Sequence, residues 1–98
     1  MNPRRLTTTE VSDLAQTLPT WQVVDGQLLR EIQAPTFAIA ITWVVAIAGA
    51  AESLDHHPDI DIRWRTLRIA LITHSTGCLT ELDLDLARLI DTVLRTGA

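Results

Sequence analysis

Ala34 to Ala51 is a run of eighteen residues without a charge, flanked by Arg30-Glu31 on one side and by Glu52 and Asp55 on the other. Its length is close to what spans a bilayer. Pro35 and Thr36 open it, however, and its C-terminal half is Ala- and Gly-rich rather than strongly apolar. The flanks also lack the basic bias that orients membrane helices. A helix apolar all round sits either in lipid or between protein surfaces. Strand signals on both sides support the protein-buried reading. One sheet face in a 98-residue chain cannot cover the whole helix, so helix-mediated self-association is expected, with Trp43 and Ile47 among the interface residues.

The chain length suits one domain, residues 1–98, and a hydrophobic content of 47% is ample for a core. A net charge of -4 argues against a general nucleic-acid binder. All eight basic residues are Arg, which carries no functional weight. Cys78 is the only cysteine, so an intramolecular disulfide is impossible and oxidising compartments gain no support. No apolar stretch of signal-peptide length follows Met1, which makes the cytoplasm the expected location.

Thr7 with Glu10 forms a capping box and Leu6 with Val11 a hydrophobic staple, predicting a first helix with Val11, Leu14, Ala15 and Leu18 on one face and Pro19 at its end. Trp21 to Val24 and Gln27 to Gln33 read as two strands around an Asp25-Gly26 hairpin turn. Thr36 caps a second helix, Phe37 to about Asp55, with Pro58 marking its end. Ile60, Ile62 and Trp64 alternate with charged residues as a half-buried strand ending in a core tryptophan. Leu67 to His74 is a further strand, with Ala70, Ile72 and His74 on one side and Ile69, Leu71 and Thr73 on the other. Thr80 and Asp83 box a third helix, stapled by Leu79 and Leu84, whose stripe is Leu82, Leu86, Leu89, Ile90, Val93 and Leu94. The order α-β-β-α-β-β-α predicts an α+β fold, a four-stranded antiparallel sheet with three helices on one face.

His56 and His57 lie at the end of the second helix and His74 at the end of the fourth strand, element ends where functional groups commonly sit. Glu52, four residues before His56, would share its helical face. A carboxylate against an imidazole fixes its tautomer and favours the charged ring, as a general acid requires. Composition alone leaves these histidines open to a purely structural role, and a capping box already explains Asp83. Adjacent helical histidines point about 100° apart and suit a shared metal ion poorly. A nucleophile elbow and a phosphate-cradling glycine loop are both missing. Acid-base chemistry without a metal remains.

The spacing goes further. Glu52, three residues, His56-His57-Pro58, five residues, Trp64, nine residues, His74 and then Asp83 resemble the signature of the pterin-4a-carbinolamine dehydratase family, over 32 positions. Leu18-Pro19-x-Trp21 and Phe37 extend the resemblance over the whole chain. It implies dehydration of 4a-hydroxytetrahydropterin to the quinonoid dihydropterin, with the pterin as substrate and no cofactor. It also implies His56 and His74 as the acid-base pair, Glu52 orienting His56, His57 and Pro58 in substrate binding, and Asp83 and Trp21 bordering the pocket. Homodimers or tetramers are expected, with no direct nucleic-acid or membrane partner. A non-enzymatic dimerisation or assembly module on the same fold is the alternative. Cys78 departs from the family, which commonly has glycine there, and would reshape the loop beside His74 if that position needs a positive φ.

Overall fold

Two hairpins build one sheet. The computed structural model describes residues 3–96. In chain order these form α1 (Thr8–Ser12), α2 (Leu14–Thr17), β1 (Gln22–Val24), β2 (Gln27–Gln33), α3 (Phe37–Leu54), β3 (Asp59–Arg63), β4 (Thr66–Leu71) and α4 (Glu81–Arg95). The strands are antiparallel in the order β1-β2-β4-β3, so each hairpin contributes one central strand. Leu28, Leu67, Ile69 and Leu71 face inward and cluster with Leu14 of α2 and Leu18 just after it, Ala40, Trp43 and Ile47 of α3, and Leu86 and Ile90 of α4. This is the expected α+β arrangement with the helices on one face. The period-two pattern decides it: the inward residues alternate with Glu31, Arg68 and Asp61, which stand in register across the open face.

The first helix differs from expectation. It comes as two short pieces because Asp13, at φ -82 and ψ -5, tightens the turn between them. Leu14 and Leu18 therefore go inward while Ala15 stays exposed. The Thr7–Glu10 capping box is present, and the Arg4 guanidinium bonds the same carboxylate at 2.8 and 3.0 Å. Arg4, with help from the Thr7 N–H, lowers the Glu10 pKa from 4.5 to about 2. A depressed carboxylate stabilises the fold fully above its ordinary pKa and loses that contribution as pH falls through the folded one. Acid titration of the wild type should thus lose stability between about pH 4.5 and 2 partly through Glu10. The Glu10→Gln variant should show a shallower loss there in melts across that range, and an identical slope would exclude this contribution.

Asp25 and Gly26 both adopt positive φ, 52° and 76°, as a two-residue hairpin turn demands. In the second hairpin Arg63 pairs with Thr66, leaving Trp64 and Arg65 as the turn. Trp64 is thus not a strand-end core residue. It sits at φ 54° and is exposed, with the Arg65 guanidinium 4.7 Å from its ring centre.

α3 is long and apolar enough to cross a membrane by length and composition alone, yet it lays one stripe, Ala40, Trp43, Ile47 and Ala51, into the core. Trp43 and Ile47, expected at a subunit interface, are instead buried within the single chain, because the 3.6-residue period turns them toward the sheet and α4. The outer stripe consists of Phe37, Ile41 and Val45, all exposed. The helix stops at Leu54 with Asp55 as its cap, as expected to within a residue, and Pro58 follows outside it. Asp55 takes a left-handed conformation, its N–H bonds Glu52 O, and the His56 N–H bonds Ala51 O, a Schellman-type ending.

Candidate active site

The left-handed Asp55 decides where the histidines point. His56 lies outside the helix, so the i,i+4 geometry expected between Glu52 and His56 does not exist. The buried His56 ring instead crosses to α4, where its Nε2 lies 2.6 Å from Asp83 Oδ1. Glu52 bonds the neighbouring histidine, with Oε2 2.9 Å from His57 Nε2, and both groups are exposed. The expected pairing of Glu52 with His56 is therefore corrected to Glu52 with His57 and Asp83 with His56.

Asp83 is fully buried, which is costly for a carboxylate unless its oxygens are satisfied. Oδ2 accepts the Thr80 backbone N–H at 2.9 Å and the Thr73 hydroxyl at 2.8 Å. The Thr73 and Thr80 hydroxyls lie 2.7 Å apart, and Thr80 Oγ1 accepts the Leu82 N–H. With its own proton given to Asp83, Thr73 must accept from Thr80. Asp83 thus serves as both capping residue and histidine partner. An ionised carboxylate only accepts, so His56 Nε2 carries the hydrogen of that bond. Nδ1 is then the ring nitrogen left for other work, and it is not among the buried atoms without a partner.

Beyond Leu71 the strand ladder gives way to a single bridge, Thr73 opposite Cys78, and the alternation continues in burial: Thr73 is buried against Asp83 while Ile72 is half-buried and His74 exposed. His74 is exposed, with Nε2 3.7 Å from Asp59 Oδ2, a loose contact at the first residue of β3. His56, His57 and His74 line one cavity of about 290 Å³ together with Asp55, Thr73 and Ser75. Pro3, Ile72 and Leu82 supply its apolar surface. Each of the three histidines has its own carboxylate, one pair buried and two at the surface. Such an arrangement holds one imidazole rigidly and leaves the others free to adjust, which suits proton transfer to and from a bound molecule. Among the described residues, no three His, Cys, Asp or Glu side chains form a group able to hold a metal ion.

Some expected members lie elsewhere. Trp21 is buried and does not border this cavity, because its indole N–H bonds Asp91 at 2.8 Å, where Arg30 and Thr20 also converge. Pro58 is half-buried and does not line the cavity; it leads the chain from His57 into β3. Cys78 needs no positive φ, since Gly77, at 69°, makes the turn beside His74. Asp59 and Pro3 carried no signal of their own in the sequence, whereas Thr73 stood beside His74 in the resemblance and the period of β4 already separated the two.

The sequence profile described as pterin 4 alpha carbinolamine dehydratase matches residues 4–93. The chain belongs to the pterin-4-alpha-carbinolamine dehydratase family. A provisionally named pterin-4-alpha-carbinolamine dehydratase of Mycobacterium sp. (strain KMS) is 47% identical over 89 residues, covering 91% of this chain and 95% of the relative. Among solved structures, a transcriptional coactivator/pterin dehydratase from Brucella melitensis superposes with a TM-score of 0.86 at 33% identity, covering 92% of this chain and 98% of that one. A pterin dehydratase-like RuBisCO assembly factor of the alpha-carboxysome shares the fold alone, with a TM-score of 0.60 at 20% identity over 74% of this chain and 84% of that one. Within that match His56, His57 and His74 line the cavity and Asp83 holds His56, whereas Pro58 and Trp64 lie outside its lining.

Proposed function

We propose that this family member dehydrates 4a-hydroxytetrahydropterins to the quinonoid dihydropterin, in a pterin-recycling role in the cytoplasm. The observation that carries the reading is the buried His56–Asp83 pair facing one cavity with His74. The elimination breaks the bond between C4a and the hydroxyl, whose oxygen takes a proton and leaves as water. A ring nitrogen gives up a proton as its double bond to C4a forms. Two imidazoles cover both transfers without a metal or organic cofactor. In this reading His56 and His74 form the acid-base pair and Asp83 positions His56. His57, steadied by Glu52, binds the pterin.

The test is stopped-flow dehydration of a panel of 4a-hydroxytetrahydropterins differing in side chain, tetrahydrobiopterin's included. A rate above the uncatalysed one for at least one of them supports the reading. Background rates for the whole panel would reject it.

A second reading, an assembly module on the same fold, draws support from the outer face of α3, where Phe37, Ile41 and Val45 are exposed in the single chain. The two roles are compatible. We infer that this face pairs copies of the chain as a dimer or tetramer. Light scattering should show an oligomer that the Val45→Arg variant reduces to a smaller species, because a charge on an apolar interface must be desolvated. A wild-type monomer would remove the idea.

A further inference from the structure

The residues before α1 run antiparallel to the start of α4. Leu6 N–H donates to Leu79 O at 3.1 Å, Glu81 N–H donates to Arg4 O at 3.0 Å, and Arg5 bridges Thr80. Arg4 pins this strap twice. Its guanidinium meets both oxygens of Glu10, at 2.8 and 3.0 Å, and its Nε lies 3.5 Å from Glu81 Oε2. A two-pronged arginine contact fixes direction as well as distance. The strap therefore lies against the start of α4, where the Thr80 N–H holds the Asp83 carboxylate that meets His56, and it delivers Pro3 to the wall of the histidine cavity. Pro3, Ile72 and Leu82 are the apolar part of that wall. A planar heterocycle bound for proton transfer needs apolar contact on its faces and polar groups at its edge. Proline supplies a rigid surface that costs little side-chain entropy to order.

We propose that the strap, residues 3–6, is a wall of the substrate site, with Pro3 packing on the pterin ring and Arg4 the positioning residue that holds it there. This rests on the dehydratase reading above. The strap acts on binding rather than on proton transfer, because Arg4 itself faces Glu10 and Glu81 and not the cavity.

The test is steady-state dehydration by the Arg4→Ala variant beside the wild type. KM should rise about fivefold with kcat within about twofold, the pattern of lost uniform binding. Since the pin is an exposed ion pair, wild-type KM should climb with added salt, and that dependence should vanish in the variant. The Arg4→Lys variant should recover only part of the difference, because an ammonium keeps the charge but loses the fork. An unchanged KM overturns the proposal, and so does a kcat that falls as far as KM rises. If the wild type turns over no hydroxypterin, the dehydratase reading fails and the strap is judged by NMR. Movement of the His56 and His57 ring-proton resonances in Arg4→Ala supports a strap that lines the cavity; unmoved resonances overturn it.

Discussion

Asp83→Asn should leave the fold in place and lower turnover by about 10²–10⁴-fold, the range for a misdirected general acid-base histidine. An asparagine fits the same space. Its oxygen can keep the bonds that Asp83 accepts from the Thr80 N–H and the Thr73 hydroxyl. Its amide then faces His56 Nε2, now donating where Asp83 accepted. The neutral ring must answer with a lone pair at Nε2 and its hydrogen at Nδ1. Nδ1, the ring nitrogen not engaged by residue 83, then carries a proton where the wild type has a lone pair. Circular dichroism should remain native-like while stopped-flow dehydration collapses. Wild-type turnover in the Asp83→Asn variant would mean that His56 does not work through Nδ1.

The two proposed acid-base histidines should fail in different ways. His74→Ala removes an exposed side chain whose Asp59 contact is 3.7 Å long, so stability should change by no more than about 0.5 kcal/mol. His56→Ala leaves a fully buried carboxylate without its cation-capable partner. Losing a hydrogen bond to a buried charged group costs about 1.5–3 kcal/mol, a large share of the roughly 5–15 kcal/mol that holds a domain together. Both variants should lose at least about a hundredfold in rate. Denaturant melts separate them: only the His56→Ala midpoint should fall steeply. Equal midpoints would show that the His56–Asp83 pair carries no net stability.

The four strands and the inward face of β4 were legible because period-two alternation reports burial directly, as in Leu67, Ile69 and Leu71, whereas the strand order and the cross-strand register were not. The spacing from Glu52 to Asp83 likewise marked the histidines that come together. Side-chain partners were less legible. Pro58 marked the helix end near Asp55 correctly, but not that Asp55 closes it in a left-handed turn, which aspartate tolerates without announcing it. That single residue moves Glu52 from His56 to His57. Trp21 found its acceptor seventy residues away, at Asp91, and was drawn from the site into the core. The Arg4–Glu81 contact that anchors Pro3 spans a similar distance along the chain. Long-range polar pairs of this kind have no periodic signature.

The measurement that tests the central claim most directly is stopped-flow dehydration of a 4a-hydroxytetrahydropterin by the wild type, His74→Ala and Asp83→Asn in one series. A fast wild type, with both variants at least about a hundredfold slower and still folded, is the predicted result. A fast wild type matched by folded variants would contradict the assignment of His74 and the Asp83-held His56 to the chemistry.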